Sequence, residues 1–250
     1  MSTVTRAARL YRVVNLFKKR PRRPQSTRAS RAAESPNINR VGLAQLTPAL
    51  DRYLAHGAYL QLSLFETLSK AIIAAPTTKT KTAVSHVANV ALDRHHALSA
   101  ELERQHLDPS EAMQPFAASV DAFHQRVHGA DWSELLMSAY VVSGILDDCF
   151  VQLAGGLPGD YPERMTALLG GDTITNALAA ILGDEITANP KLASRLALWG
   201  RRLVGDTLIV ARSAADIPQD TATDDERLEP AFTELVADHT RRMDSLGLTA

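Results

Sequence analysis

The side chains of this chain that could do chemistry are carboxylates and imidazoles at helical spacing. Asp93-Arg94-His95-His96 contains an Asp-x-x-His, and Asp121, His124 and His128 stand at i, i+3 and i+7. Glu66 and the pair Asp147-Asp148 interrupt apolar runs. Residues three or four apart share a helix face, so such sets converge on one or two metal ions when that face points into a bundle. Helical phase argues against most of them. At about 100° per residue, Asp93 and His96 fall far from the stripe Val84, Val87, Ala91 and Leu98. Glu66 lies roughly 140° from Gln61 on the same count, and Asp148 nearly opposite Leu146. These residues are expected at solvent or on a helix flank. The Asp121/His124/His128 set lies on a short helix with no second ligand-rich partner, so a capping or hydrogen-bonding role is expected. His95 is near the apolar stripe in phase; it reads as a hydrogen-bonded core histidine, with metal ligation the alternative. A Gly-rich phosphate loop, a nucleophile elbow and a His-Glu-x-x-His zinc motif are all missing from the sequence.

The elements that must position these groups are helices. Of 250 residues, 45% are apolar and only 5% aromatic, with Ala and Leu plentiful, which favours helix over sheet. A period near 3.6 runs through almost everything past residue 41. Helices are expected over about Pro48–Ala74, Lys81–Gln105, Pro109–His128 and Trp132–Ala154. A block over 161–187 follows, with Gly170-Gly171 as its weak point, then a helix after Asn189-Pro190 and a last one over about Leu228–Leu246. Asp108-Pro109-Ser110-Glu111 is a helix start, with Asp108 as the cap and proline in the first turn. No β alternation and no internal repeat is present. The fold expected is an all-α four-helix bundle with additional helices.

Charge divides the chain. Residues 1–40 carry eleven Arg or Lys and one acid, Glu34, or +10; the remainder carries −11. This gives three expected parts: a basic extension, 1–40, with a short helix and a disordered linker; a helical body, 41–218; and an acidic connector with a C-terminal helix, 219–250. Lys18, Lys19, Arg20, Arg22 and Arg23 form the densest basic run, suited to polyanion backbones because clustered cations release counterions from phosphates. No aromatic interleaves residues 18–40, so base stacking is not expected. Scarcity of acids there also imitates an organellar transit peptide; the stretch Leu10–Phe17 is too short and interrupted for a secretory signal. The single cysteine, Cys149, excludes an intrachain disulfide and a Cys-rich zinc site. No run reaches the length of uncharged apolar residues that a membrane span needs. A cytoplasmic location is expected.

Several stretches, in one order over roughly residues 45–210, resemble a known group. They are Ala58-Tyr59 with Leu62-Ser63 and Phe65-Glu66; Leu107-Asp108-Pro109 with Glu111-Ala112-Met113 and Pro115-Phe116; Asp121-Ala122-Phe123-His124; Asp131-Trp132; Ala139-Tyr140-Val141 with Gly144-Ile145; and Leu196-Ala197-Leu198-Trp199-Gly200-Arg201-Arg202-Leu203-Val204-Gly205. The group is the actinobacterial ferritin-like proteins similar to the MiaE tRNA hydroxylase. The resemblance implies a ferritin-like bundle descended from a non-haem di-iron oxygenase. It also implies where the iron ligands would stand: Gln61 on the first long helix, Ala91 and Arg94 on the second, Ser143 on a later one, and Ile174 on the last.

None of these five is a usual iron ligand. Two iron ions need several oxygen and imidazole donors to offset their charge and hydration. Arg94 is a permanent cation that would repel them. The expectation is therefore a degenerate site, no cofactor, and a role in binding or assembly, with RNA reached through the arm. If buried, Arg94 needs a partner, and helix phase suggests Asp147. The alternatives are an active di-iron oxygenase with unconventional ligands drawn from Glu66, Asp93, His95, His96 and Asp147, and a helical interaction module. In the last case the Trp199–Leu208 face or the final helix would form a homodimer.

Overall fold

The structure is a computed structural model that describes residues 42–217 and 222–249; the basic arm with Lys18, Lys19, Arg20, Arg22 and Arg23 lies outside them. The described residues form eight α-helices and no strand. They are α1 (Leu50–Ala74), α2 (Thr78–Arg104), α3 (Pro109–Arg126), α4 (Trp132–Ala154), α5 (Tyr161–Leu169), α6 (Thr173–Ala188), α7 (Lys191–Ala214) and α8 (Ala222–Ser245). A 3-10 turn, Leu43–Leu46, precedes them.

Helix starts follow the local chemistry. Asp108 Oδ1 accepts the backbone N–H of Glu111 at 3.0 Å ahead of Pro109. Asp131 Oδ1 accepts that of Glu134 at 3.0 Å. Thr77 and Thr80 cap α2 reciprocally, which moves its start three residues ahead of the expected Lys81. Each side-chain cap satisfies one of the four donors a helix start leaves free, and is worth about 1 kcal/mol.

Four helices close a ring: α1 packs on α2, α2 on α6, α6 on α4, and α4 back on α1. The others are additions. α3 lies across α1, α5 abuts α4, and α7 runs along α4. α4 is the axis of the assembly, with 18 of its 23 residues buried. A helix apolar on every side is one that must be surrounded. The block 161–187 does break at the glycines: Gly171 takes φ +84° and Asp172 φ 33° between α5 and α6. The span Tyr161–Ala188 has the composition of a membrane crossing, but the break leaves helices of 9 and 16 residues. Each is shorter than the roughly 20 residues a bilayer requires.

The final helix docks on the body. Tyr140 O–H donates to the Arg242 carbonyl at 2.9 Å, and Arg242 pairs with Asp148 at 2.7 Å. Two glycines make room: a Cβ on Gly144 would lie 2.7 Å from Arg242 Nε, and one on Gly200 2.7 Å from Met243 Cε. The Trp199–Leu208 face turns in part toward the body, with Trp199 and Leu208 half-buried. Trp199 Nε1–H donates to Ser138 Oγ at 2.9 Å, and Leu203 is fully buried.

Candidate functional site

All five positions at which the resemblance places iron ligands are buried and lie on the four ring helices. Gln61 comes from α1, Ala91 and Arg94 from α2, Ser143 from α4 and Ile174 from α6. The phase of each apolar stripe produces this, because each position sits on the stripe that its helix turns toward the others.

An ion pair ties three of the ring helices and the end of α5 together. Arg94 Nη1 donates to Asp147 Oδ2 at 2.7 Å. Its Nη2 donates to the Leu169 carbonyl at 3.1 Å, where α5 ends. Gln61 Nε2 donates to the other carboxylate oxygen, Asp147 Oδ1, at 3.0 Å. The side chains of Arg94 and Asp147 are only 5% and 15% exposed. Burial pushes the Asp147 carboxyl up to about 6, against the opposing pull of Arg94 and Gln61. It therefore stays ionised at neutral pH and balances the guanidinium. Gln61 Oε1 is left without a partner. Ala91 and Ile174 add only hydrocarbon, and the Ser143 hydroxyl reaches back to the Tyr140 carbonyl at 3.4 Å.

This donor set does not fit a di-iron pair. The one carboxylate present is already bonded to a cation and an amide, and a fixed positive charge stands beside it. The remaining sequence candidates are scattered. Glu66, Asp93 and His96 are exposed, as their helical phase implies. Asp93 accepts from Asn89 Nδ2 at 2.7 Å along the outside of α2. His95 Nδ1 bonds the Ala58 carbonyl at 2.9 Å, joining α2 to α1. Among the described residues no three His, Cys, Asp or Glu side chains are grouped as a metal would require.

Of the Asp121/His124/His128 set, the first two tie α3 to α1, while His128 is exposed beyond the end of α3, which stops at Arg126 and not at the expected His128. Asp121 Oδ1 accepts the Tyr59 hydroxyl at 2.8 Å, and His124 Nε2 meets Thr67 Oγ1 at 2.6 Å. Burial lowers the His124 pKa to about 4. A cavity of about 10 Å³ lies beside it, lined by Thr67, His128 and Ser138 among others. That is room for about one water molecule.

Residues 45–220 match the family described as a ferritin-like domain of actinomycetes. The chain belongs to that family. The match takes in all four ring helices together with α3, α5 and α7, and it ends before α8. No curated protein matches the chain.

Sequence reasoning passed over three features of this ferritin-like domain. Glu101, 7% exposed, holds Arg104 and Arg164 and joins α2 to α5. Its position three residues after Leu98 on the α2 stripe was the available signal. His56 and His239 are buried and neutral, their pKa values lowered to about 4 chiefly by burial. His56 stacks on Phe116 at 4.6 Å between centroids. A surface cleft of about 310 Å³ between α4, α6 and α8 holds Arg241 and Arg242, but Asp238 and Asp148 already pair with them.

Proposed function

We propose that this ferritin-like domain is a MiaE-like scaffold that has lost its di-iron chemistry and acts in the cytoplasm as a binding or assembly protein. One observation carries the reading: at the inward positions, an Arg94–Asp147 ion pair braced by Gln61 stands in place of metal ligands. A di-metal centre needs negative and imidazole donors facing inward, and here the inward residues neutralise one another. No cofactor is required for the bundle's interior to be electrically balanced.

RNA is the proposed partner, reached through the basic arm. Support comes from the charge division: a body of net −11 repels a polyanion at long range, whereas Lys18, Lys19, Arg20, Arg22 and Arg23 attract one.

Iron loading tests the first half. Protein expressed with ample ferrous iron is expected to carry far less than one iron per chain and to consume no oxygen. Two irons per chain with oxygen uptake would overturn the reading and restore the oxygenase. For the second half, tRNA affinity is compared between the full chain and residues 41–250 across salt. Five lost phosphate contacts would flatten the log–log salt slope by about four. An unchanged slope removes RNA from the proposal and leaves the scaffold reading intact.

A further inference from the structure

Among the described residues, nothing covers the outer face of α7. Four large hydrophobic side chains are exposed among the described residues, and two of them, Leu198 at 64% and Ile209 at 62%, lie on this helix. They are eleven residues apart, three turns, and so fall on one line within about 20°. Between them is Gly205, exposed and mid-helix, with nothing within 4 Å of where its Cβ would be. A glycine there costs about 1 kcal/mol of helix stability relative to alanine, and no neighbour among the described residues requires it. Arg202 lies beside the same line. It covers Trp199 at 5.2 Å, and no carboxylate among the described residues pairs with it. One turn on is Asp206, whose carboxylate is held at 3.4 Å by Arg126 and remains 29% exposed.

We propose that a second copy of this chain covers this face, in an antiparallel α7–α7 pairing about a two-fold axis between Leu203 and Val204. What favours a second copy over another partner is the charge pattern, since Arg202 and Asp206, of opposite sign, lie on one flank of the line. In that register Leu198 meets the partner's Ile209, and the symmetry repeats the contact at the other end. Gly205 lies near the axis, where two helices approach most closely and a side chain would hold them apart. Arg202 falls on the same flank as the partner's Asp206 and one residue away in height, about 1.5 Å along the axis. An isologous interface requires a patch complementary to itself, and this one is so in both its apolar and its charged residues.

The contact is small, essentially one helix on another, and below the area of obligate dimers. A Kd in the micromolar range is the expectation, held mainly by the two Leu–Ile contacts. This proposal stands apart from the RNA reading and from the iron question, since it uses none of their residues.

Sedimentation of the full chain from about 1 to 200 μM tests it, a window that brackets weak interfaces. The expected result is a monomer–dimer transition. Leu198→Glu is expected to weaken it at least about tenfold, and Arg202→Asp to weaken it with recovery when Asp206→Arg is added. A variant carrying both Leu198→Cys and Ile209→Cys supplies a geometric readout. The two thiols of one chain lie about 16 Å apart, beyond any intrachain disulfide, and Cys149 is buried. Mild oxidation should therefore yield a covalent dimer with two bridges. A monomer throughout the range overturns the proposal. So does a dimer that ignores Leu198→Glu and leaves the cysteine variant uncrosslinked, because association would then use another face.

Discussion

Replacing Arg94 with methionine isolates the central ion pair. The substitution keeps an unbranched apolar stem and removes the charge, leaving Asp147 bonded only to Gln61. Removing one partner of a buried pair costs about 3–5 kcal/mol. Asp147 retains 15% exposure, which puts the cost near the lower bound, about 3 kcal/mol at neutral pH. For a body of this size that is a fall in Tm of roughly 6–12 °C. The deficit should also depend on pH in one direction. Asp147 has a folded pKa of about 6, above its value in the unfolded chain. A carboxyl raised in this way favours the folded state at low pH, and that contribution is lost as pH rises through the folded pKa. Without Arg94 the folded pKa rises further. From pH 6 upward to that new value the variant therefore loses about 1.4 kcal/mol per pH unit relative to wild type. Histidines titrate in both proteins and cancel from the difference. Asp147→Leu behaves otherwise, because the guanidinium left behind cannot shed its proton. Its loss should not be relieved by changing pH. Joining Arg94→Met to Asp147→Leu should recover most of the stability, since matched apolar replacements of a buried pair are often neutral. Urea denaturation of all four proteins at pH 5.5, 7 and 8 measures this. A cost for Arg94→Met below about 1 kcal/mol, or simple additivity in the double variant, would refute the account of a buried, mutually dependent pair.

Acid should destabilise the body through its buried histidines. His56, His124 and His239 each have a folded pKa near 4 against 6.5 in the unfolded chain, so their contribution is lost as pH falls through that window. Asp147 offsets one proton of the three, leaving a net slope of about 2.7 kcal/mol per pH unit at most between pH 6 and 4; a flat urea midpoint over that range would contradict it. Gly156→Ala would put a Cβ 2.1 Å from the Ala44 carbonyl oxygen and 2.3 Å from Thr47 Oγ1. Because backbone must shift, calorimetry should show a loss of about 2 kcal/mol or more, accompanied by displacement of the Leu43–Leu46 turn from the end of α4. Gly200→Ala meets only the flexible ends of Met243 and Met137, so its loss should be markedly smaller in the same experiment.

Much of the architecture was legible because it is written in short-range chemistry. Asp108 and Asp131 cap helices as their neighbours require. Gly170-Gly171 marked a real break, since a φ of +84° at Gly171 suits only a residue without a Cβ. Helical phase alone put Glu66, Asp93 and His96 outside and Gln61, Ala91 and Arg94 inside, because a 3.6-residue period fixes which residues share a face. Phase also suggested Asp147 for Arg94, although they are 53 residues apart.

Other features depend on which helices become neighbours, and no local period encodes that. The Leu169 carbonyl that takes the second bond from Arg94 is available only because α5 ends beside α2. His124 is expected from sequence in a capping or hydrogen-bonding role, but its partner, Thr67, is fixed only once α3 lies across α1. Gly144 and Gly200 gain their meaning when α8 docks, and the bare Leu198–Ile209 line of α7 becomes visible only when the opposite face has been committed to α4. The sequence by itself determined the helices, their inward faces and the division of charge. Tertiary structure decided the partners: burial makes an isolated charge costly and a paired one tolerable, and pairing is settled only when the helices meet.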